Sequence, residues 1–136
     1  MKRIFTTFVL VFFAATTQAE IVVIGNVGGI ESLSFTQVEN IFMGRMRSLP
    51  NGQVADPIDQ STLRAEFYER LTSRPLEQID AYWARITFTG QASKPEILPN
   101  DNKVLAKVGC KCNESAIGYI DRKSLNNTVR VLLILN

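Results

Sequence analysis

Short apolar runs rich in β-branched residues alternate with amphipathic helical patterns along nearly the whole sequence after residue 19. This alternation predicts a three-layer α/β/α domain, in which helices cover both faces of one sheet. No internal repeat or linker interrupts the pattern, so we expect a single domain. The first strand is closed by a glycine-rich loop, which is typical of a buried, parallel strand. The predicted strands are Glu20–Ile24, Val54–Ile58, Ala116–Ile120 and Val129–Leu135.

Capping signals place four helices between these strands. Ser34 is a suitable N-cap, Gln37 stands where the partner of a capping box belongs, and Gly44 follows as the terminator. Pro75 fits the first turn of the third helix, and residues 87–99 are expected to form a loop. The second helix is predicted from the spacing of Leu63, Phe67 and Leu71. The fourth helix is predicted to begin after Asn100 or Asp101 as the N-cap and to end at Gly109.

The amino terminus has the pattern of an export signal. Lys2 and Arg3 precede a mostly apolar run of twelve residues, 4–15, and the small residues of the segment 17–19 fit a cleavage site. A retained membrane anchor is the alternative, but twelve residues fall short of the about 18 needed to span a bilayer as a helix. We therefore expect a signal peptide at 1–19, a mature domain at 20–136 and a periplasmic location.

The charge balance and the absence of histidine exclude several functions. Removing Lys2 and Arg3 with the leader takes two of the fifteen basic residues, which leaves thirteen basic against thirteen acidic residues. A neutral chain lacks the basic surface that nucleic acid requires, so we expect no nucleic-acid partner. With no histidine, the usual triads and zinc sites are excluded. We expect no enzyme activity, no metal and no cofactor.

One strand-to-helix junction has the residues of an oxyanion site. Ser61, Thr62 and Arg64 lie where a predicted helix begins, and helix amino termini attract anions through free N–H groups and the helix dipole. In the alternative, Ser61 or Thr62 only caps the helix and Arg64 is solvated. Asn26, in the glycine-rich loop 25–29, is a second-rank candidate contact, and in the alternative that loop is a plain turn.

Cys110 and Cys112 are the only cysteines. Because an exported chain meets an oxidising compartment, we expect an internal disulfide or an intermolecular bridge. Two free structural thiols are the next alternative, and a redox or metal role is the last.

Several segments, taken in order, resemble the periplasmic phosphate-binding proteins that serve ABC importers. Leu33–Arg45 is similar to that family's helix ending in Ile-Phe-x-Gly-Lys, and Ala116–Ile120 to its Ala-Ile-Gly-Tyr-Val strand. Ser61–Phe67 falls where the family has Ser-Gly-Thr-Arg, of which the serine carries over as Ser61. The family's upstream arginine, a phosphate ligand, is replaced here by Asp59 or Gln60.

The resemblance covers the mature chain and implies one lobe of a type 2 periplasmic-binding-protein fold. It implies binding of a small oxyanion, phosphate first, by Ser61, Thr62, Arg64 and Asn26, in connection with phosphate ABC transport. The alternative is a non-catalytic interaction or sensor-accessory module that has lost ligand binding. A membrane transporter or sensor protein is the expected partner class, and a homodimer is the other association left open.

Overall fold

The computed structural model of the protein describes residues 2–5, 7–14 and 18–136. Residues 2–5 and 7–14 are exposed and have no regular secondary structure. The predicted leader at 1–19 lies partly outside the described residues, and Thr17 of the predicted cleavage site is among those outside. Within the described ranges, no helix is long and apolar enough to cross a membrane.

The described residues form five strands and four α-helices around one sheet. The elements are β1 (Ile21–Asn26), α1 (Phe35–Phe42), β2 (Asp56–Gln60), α2 (Arg64–Thr72), α3 (Leu76–Phe88), β3 (Glu96–Leu98), α4 (Asp101–Val108), β4 (Ala116–Asp121) and β5 (Val129–Leu135). A short 3-10 helix, Arg122–Ser124, follows β4. The sheet is mixed and has the strand order β3-β2-β4-β1-β5. β2 pairs in parallel with β3 and β4, whereas β1 pairs antiparallel with β4 and β5.

Two hydrophobic clusters, one on each face of the sheet, make the domain three-layered. On one face, α1, α2 and α3 pack around Phe42, Phe67 and Trp83. On the other face, α4 packs through Val104 and Val108 against β1, β2 and β4. The predicted α/β/α architecture is therefore confirmed.

The direction of β1 differs from the sequence-based expectation of a parallel strand. Ile21 and Val23 belong to one cluster, and Val22 and Ile24 to the other, so both faces of the strand are covered. Burial on both faces explains the continuous apolar run, but the same run suits either direction of pairing. β1 is antiparallel to both of its neighbours.

The region around β2 also differs from the prediction. Val54 is 71% exposed and lies outside the strand, which instead extends to the polar, buried residues Asp59 and Gln60. The predicted loop 87–99 contains a short strand, β3, which pairs in parallel with β2. The strand lies two residues later than predicted, because its last two residues are polar and buried. A prediction from hydrophobic patterning does not recognise buried polar residues as part of a strand.

The parallel arrangement brings three strand ends to one edge of the sheet. β2, β3 and β4 run in the same direction, so Gln60, Leu98 and Asp121 end at the same edge. The amino termini of α2 and α4 follow from β2 and β3 at this edge. In open α/β sheets this is where ligands are usually bound.

Candidate functional site

The turn between β2 and α2 contains three hydrogen-bond donors that converge on one oxygen atom. The Thr62 backbone N–H and hydroxyl donate to Oε1 of Gln60 at 2.5 and 2.7 Å, and the Leu63 backbone N–H donates to it at 3.1 Å. These are the groups that a helix amino terminus would offer to an anion. In this structure the side-chain oxygen of Gln60 occupies that position.

The other end of the Gln60 amide ties this turn to the rest of the edge. Its Nε2 donates to Oδ1 of Asp101 at 2.8 Å, at the start of α4. The Ser124 hydroxyl donates to Oδ2 of the same carboxylate at 2.6 Å. Gln60 is only 3% exposed. A polar network thus crosses the edge from α2 through α4 to the 3-10 helix.

Arg64 is held by two carboxylates. Its Nε donates to Oδ2 of Asp59 at 3.0 Å, and its Nη1 donates to Oδ1 of Asp80 at 2.6 Å. The residue is 6% exposed, and its buried Nη2 has no hydrogen-bond partner among the described residues. The pKa of Arg64 is raised: burial alone lowers it, but Asp80 and Asp59 more than offset that effect. One guanidinium facing two carboxylates leaves a net negative cluster.

Asp59 is fully buried and accepts hydrogen bonds from three side chains. The hydroxyls of Tyr68 and Tyr119 donate to its Oδ1, each at 3.0 Å, in addition to the bond from Arg64. Burial raises the pKa of Asp59, although Arg64 and both phenols lower it. Burial, together with the nearby Asp59 charge, raises the pKa of both tyrosines, which therefore remain neutral donors.

The structure places Ser61 beside this cluster with both of its donors already used. Its backbone N–H donates to the carbonyl of Leu98 at 2.9 Å, and its hydroxyl donates to the carbonyl of Pro99 at 3.2 Å. These bonds join the turn to β3. Ser61 and Thr62 are exposed, whereas Arg64 is buried, so the three predicted ligand residues do not present their donors to one common point in solvent.

The structure places Asn26 at the opposite edge of the sheet from Ser61, because β1 runs antiparallel to β4 and β4 runs parallel to β2. Its Nδ2 donates to the carbonyls of Val108 and Cys110 at 3.0 and 2.8 Å, and its Oδ1 accepts from the Gly28 N–H at 2.9 Å. The residue is 4% exposed. Both amide hydrogens and the oxygen are engaged, so no donor of Asn26 is left for a ligand.

Solved structures of phosphate transport proteins share this fold. An ABC-type phosphate transport receptor from Vibrio cholerae aligns with a TM-score of 0.64 and 12% identity, over 84% of this chain and 45% of its own. A putative phosphate ABC transporter substrate-binding protein from Clostridium perfringens, with bound phosphate, aligns with a TM-score of 0.64 and 17% identity, over 84% and 44%. PstS from Borrelia burgdorferi aligns with a TM-score of 0.57 and 12% identity, over 84% and 46%.

This chain has the fold of one lobe of a phosphate-type substrate-binding protein. It spans less than half the length of each of the three solved structures. No protein-family model matches the sequence, and no curated protein sequence matches it. The likeness is therefore one of fold.

The sequence analysis named Gln60 only as a possible replacement for the family's arginine, and it did not single out Tyr68 or Tyr119. A local signal for the role of Gln60 was available. Its side-chain oxygen can accept hydrogen bonds from the backbone N–H groups two and three residues later, as the side chain of an aspartate or serine would. The tyrosines carry no such local signal, because Tyr119 reaches Asp59 across 60 residues of sequence.

Two further features of the lobe lie away from this edge. Cys110 and Cys112 form an internal disulfide, which is one of the alternatives that the sequence analysis left open.

An open groove of about 660 Å³ lies at the starts of β2 and β3, at the edge of the sheet opposite to the β2–α2 turn. Its lining includes Arg47, Val54, Lys94 and Glu96. Among the described residues, no group of three or more Cys, Asp or Glu side chains is arranged to hold a metal ion.

Proposed function

We propose that the protein is an exported, non-enzymatic lobe of the substrate-binding type that serves phosphate-linked ABC transport or sensing through contact with a protein partner. In this proposal the lobe does not carry phosphate itself at the β2–α2 turn. The observation that carries it is the convergence of the Thr62 and Leu63 donors on Oε1 of Gln60. The chain supplies its own neutral oxygen where a phosphate oxygen would have to bind.

The charges around the turn support the same proposal. Arg64 is the one cation in the cluster, and Asp59 and Asp80 both pair with it. A phosphate dianion arriving at Thr62 would therefore meet a net negative group, with the Asp101 carboxylate bonded to Gln60 nearby. Like charges in a partly buried site disfavour the charged ligand. A partner that contacts the edge through neutral groups would meet no such opposition.

Direct oxyanion binding, phosphate first, is the second candidate function. It is favoured by the preformed set of three donors, which would suit a phosphate oxygen if the Gln60 side chain rotated away. The Clostridium perfringens structure of the same fold contains bound phosphate. In this candidate Ser61, Thr62 and Arg64 line the site, and a second copy of the lobe or a partner would complete it.

Titration calorimetry with phosphate, and then with sulfate, on residues 20–136 separates the two candidates. We expect no saturable heat from the wild-type protein at millimolar phosphate. The Gln60→Ala variant, which vacates the position of Oε1, should gain weak binding if the three donors remain in place. Gln78→Ala, in an exposed position on α3, is the matched control and should behave as the wild type.

The outcomes are distinct. Saturable, phosphate-selective binding by the wild type that is lost in Thr62→Ala would overturn the main proposal and establish the second candidate. Absence of binding by both the wild type and Gln60→Ala would indicate that charge, rather than occupancy by Gln60, keeps phosphate out. Cross-linking of the purified lobe alone, and of the lobe in an extract of periplasm and membranes, then tells whether its partner is a second copy or another exported or membrane protein.

A further inference from the structure

The disulfide between Cys110 and Cys112 closes a ring of only three residues at the end of α4. A disulfide stabilises a fold mainly by restricting the unfolded chain, and this effect is smallest for the shortest loops. Stabilisation of the fold is therefore a weak reason for this bond. Cys112 and Lys111 are exposed, and Cys110 is half-buried, so one sulfur-bearing residue faces solvent directly.

The loop that carries the disulfide is fixed by hydrogen bonds that do not involve sulfur. The Asn26 amide donates to the carbonyls of Val108 and Cys110, and the Asn113 N–H also donates to the Cys110 carbonyl, at 3.2 Å. The Asn113 side chain donates to Asp56 at 2.7 Å. Because none of these bonds involves sulfur, we expect them to persist when the S–S bond opens and to keep the two sulfurs close together.

The surroundings favour a thiolate at Cys110 when the bond opens. The Cys112 N–H already points at Sγ of Cys110, with an N···S distance of 3.2 Å. Lys111 adds an exposed positive charge between the two cysteines. The free carbonyl groups at the carboxyl end of α4 carry partial negative charge and would repel a thiolate. Asn26 reduces this repulsion, because its amide donates hydrogen bonds to the carbonyls of Val108 and Cys110. Positive charge and N–H donors lower the pKa of a cysteine thiol.

We propose that Cys110 and Cys112 form a thiol–disulfide exchange site for cysteine thiols of exported proteins. The incoming thiolate attacks Sγ of Cys112, a new S–S bond forms to it, and the bond between Cys112 and Cys110 breaks. The electron pair stays on Sγ of Cys110, which becomes the thiolate held by the Cys112 N–H. Attack of the Cys110 thiolate on Sγ of Cys112 reverses the step. In the forward direction a second thiolate of the exported protein attacks that protein's own sulfur in the mixed disulfide, which forms a disulfide in the exported protein and releases Cys112 as a thiolate. The exported protein is thereby oxidised, and the Cys110–Cys112 pair is reduced to two thiols.

Glutathione is a suitable probe for this exchange. On treatment of the wild type with reduced glutathione and trapping with iodoacetamide, glutathione should be found on Cys112 and the alkyl group on Cys110, because the thiolate that leaves is Cys110. Mass spectrometry of the digested samples locates both groups and gives the rate of the reaction. Lys111→Gln should slow the reaction, because a nearby cation stabilises the departing thiolate, whereas Lys103→Gln, on α4, should not.

The wild-type protein provides the second readout. We expect dithiothreitol to reduce the disulfide without urea, and far-UV circular dichroism to stay unchanged on reduction. Glutathione found on Cys110 as often as on Cys112, or reduction of the wild type only at urea concentrations that unfold it, would overturn the proposal. Circular dichroism of each variant confirms that the compared proteins are folded. These measurements use no phosphate, so they do not depend on the function proposed above.

Discussion

The hydroxyl of Tyr119 on β4 donates to the buried carboxylate of Asp59 on β2 at 3.0 Å. The ring of Tyr119 stacks on Phe67 of α2, with centroids 3.6 Å apart and an angle of 8° between the rings. One side chain thus joins the sheet to a helix of the apolar layer and satisfies a buried charge. The Asp59 cluster is therefore part of the core of the lobe, and its first role is to hold the start of α2 against the sheet.

Tyr119→Phe removes this hydrogen bond and retains the stacked ring. We expect the free energy of unfolding to fall by about 1.5–3 kcal/mol, because a hydrogen bond to a buried charged group is lost. Urea unfolding monitored by fluorescence measures the change. Tyr82→Phe is the control: its hydroxyl donates to the neutral Met43 carbonyl, so the loss there should be smaller. Equal losses in the two variants would contradict a charged Asp59.

The pH dependence of stability tests the state of Asp59 directly. Because burial raises its pKa in the folded protein, the native state binds a proton more tightly than the unfolded state does at pH values just above the usual value of 3.8. The contribution of Asp59 to stability therefore decreases as the pH rises through that window. We expect the difference in unfolding free energy between the wild type and Asp59→Asn to shrink from about pH 4 upward. A difference that grows with pH would show a lowered pKa instead.

Arg64→Met separates a structural role of Arg64 from a ligand-binding role. The change leaves Asp59 buried without its cation, and breaking a buried ion pair in this way costs about 3–5 kcal/mol. The double variant Asp59→Asn with Arg64→Met should recover part of this loss. Arg122→Met is the control, because its pair with Glu20 is exposed and is worth about 1 kcal/mol or less. A fully stable Arg64→Met protein would count against the structural role.

Two capping predictions that depended on local sequence were confirmed, those for α1 and α4. The capping box of Ser34 and Gln37 is present at the start of α1, and Asn100 caps α4 through its side chain. These signals act within three residues, so the sequence displays them completely. The end of β5 at Leu135 agrees with the predicted strand as well. The apolar run of β1 predicted its burial but not its antiparallel direction, since direction depends on which strands lie beside it.

The candidate site was harder to predict because its polar groups are paired across the fold. Ser61 and Thr62 were expected to face a ligand, yet Leu98, Pro99 and Gln60 accept their hydrogen bonds. The acceptors of Ser61 are far away in sequence, and no local pattern carries that information, whereas the acceptor of Thr62 is the nearby Gln60. The site residues therefore remain a proposal, whereas the fold is established.

Export can be tested independently of the site. We expect expression of the full chain in a bacterium with a periplasm to give a mature protein that begins at Glu20. Residues 21–26 form β1 immediately after this point, so cleavage there leaves the sheet intact. Amino-terminal sequencing of the periplasmic fraction measures the start. Ala19→Arg, which removes the small residue at the cleavage site, should retain the leader. A wild-type chain with an intact residue 1 in the membrane fraction would instead support the retained anchor.

Alanine substitutions at Gly44 and Gly52 distinguish the cost of backbone strain from the cost of a steric clash. Both have a left-handed backbone, with φ of 71° and 85°. A Cβ at Gly44 would lie 2.7 Å from the ring of Trp83, whereas a Cβ at Gly52 would meet no atom within 4 Å. We expect Gly52→Ala to lower the unfolding free energy by about 1 kcal/mol from the backbone alone. Gly44→Ala should cost about 1–3 kcal/mol more, because Trp83 or the turn after α1 must shift. Similar losses in the two variants, measured by urea unfolding, would mean that Trp83 moves aside at little cost.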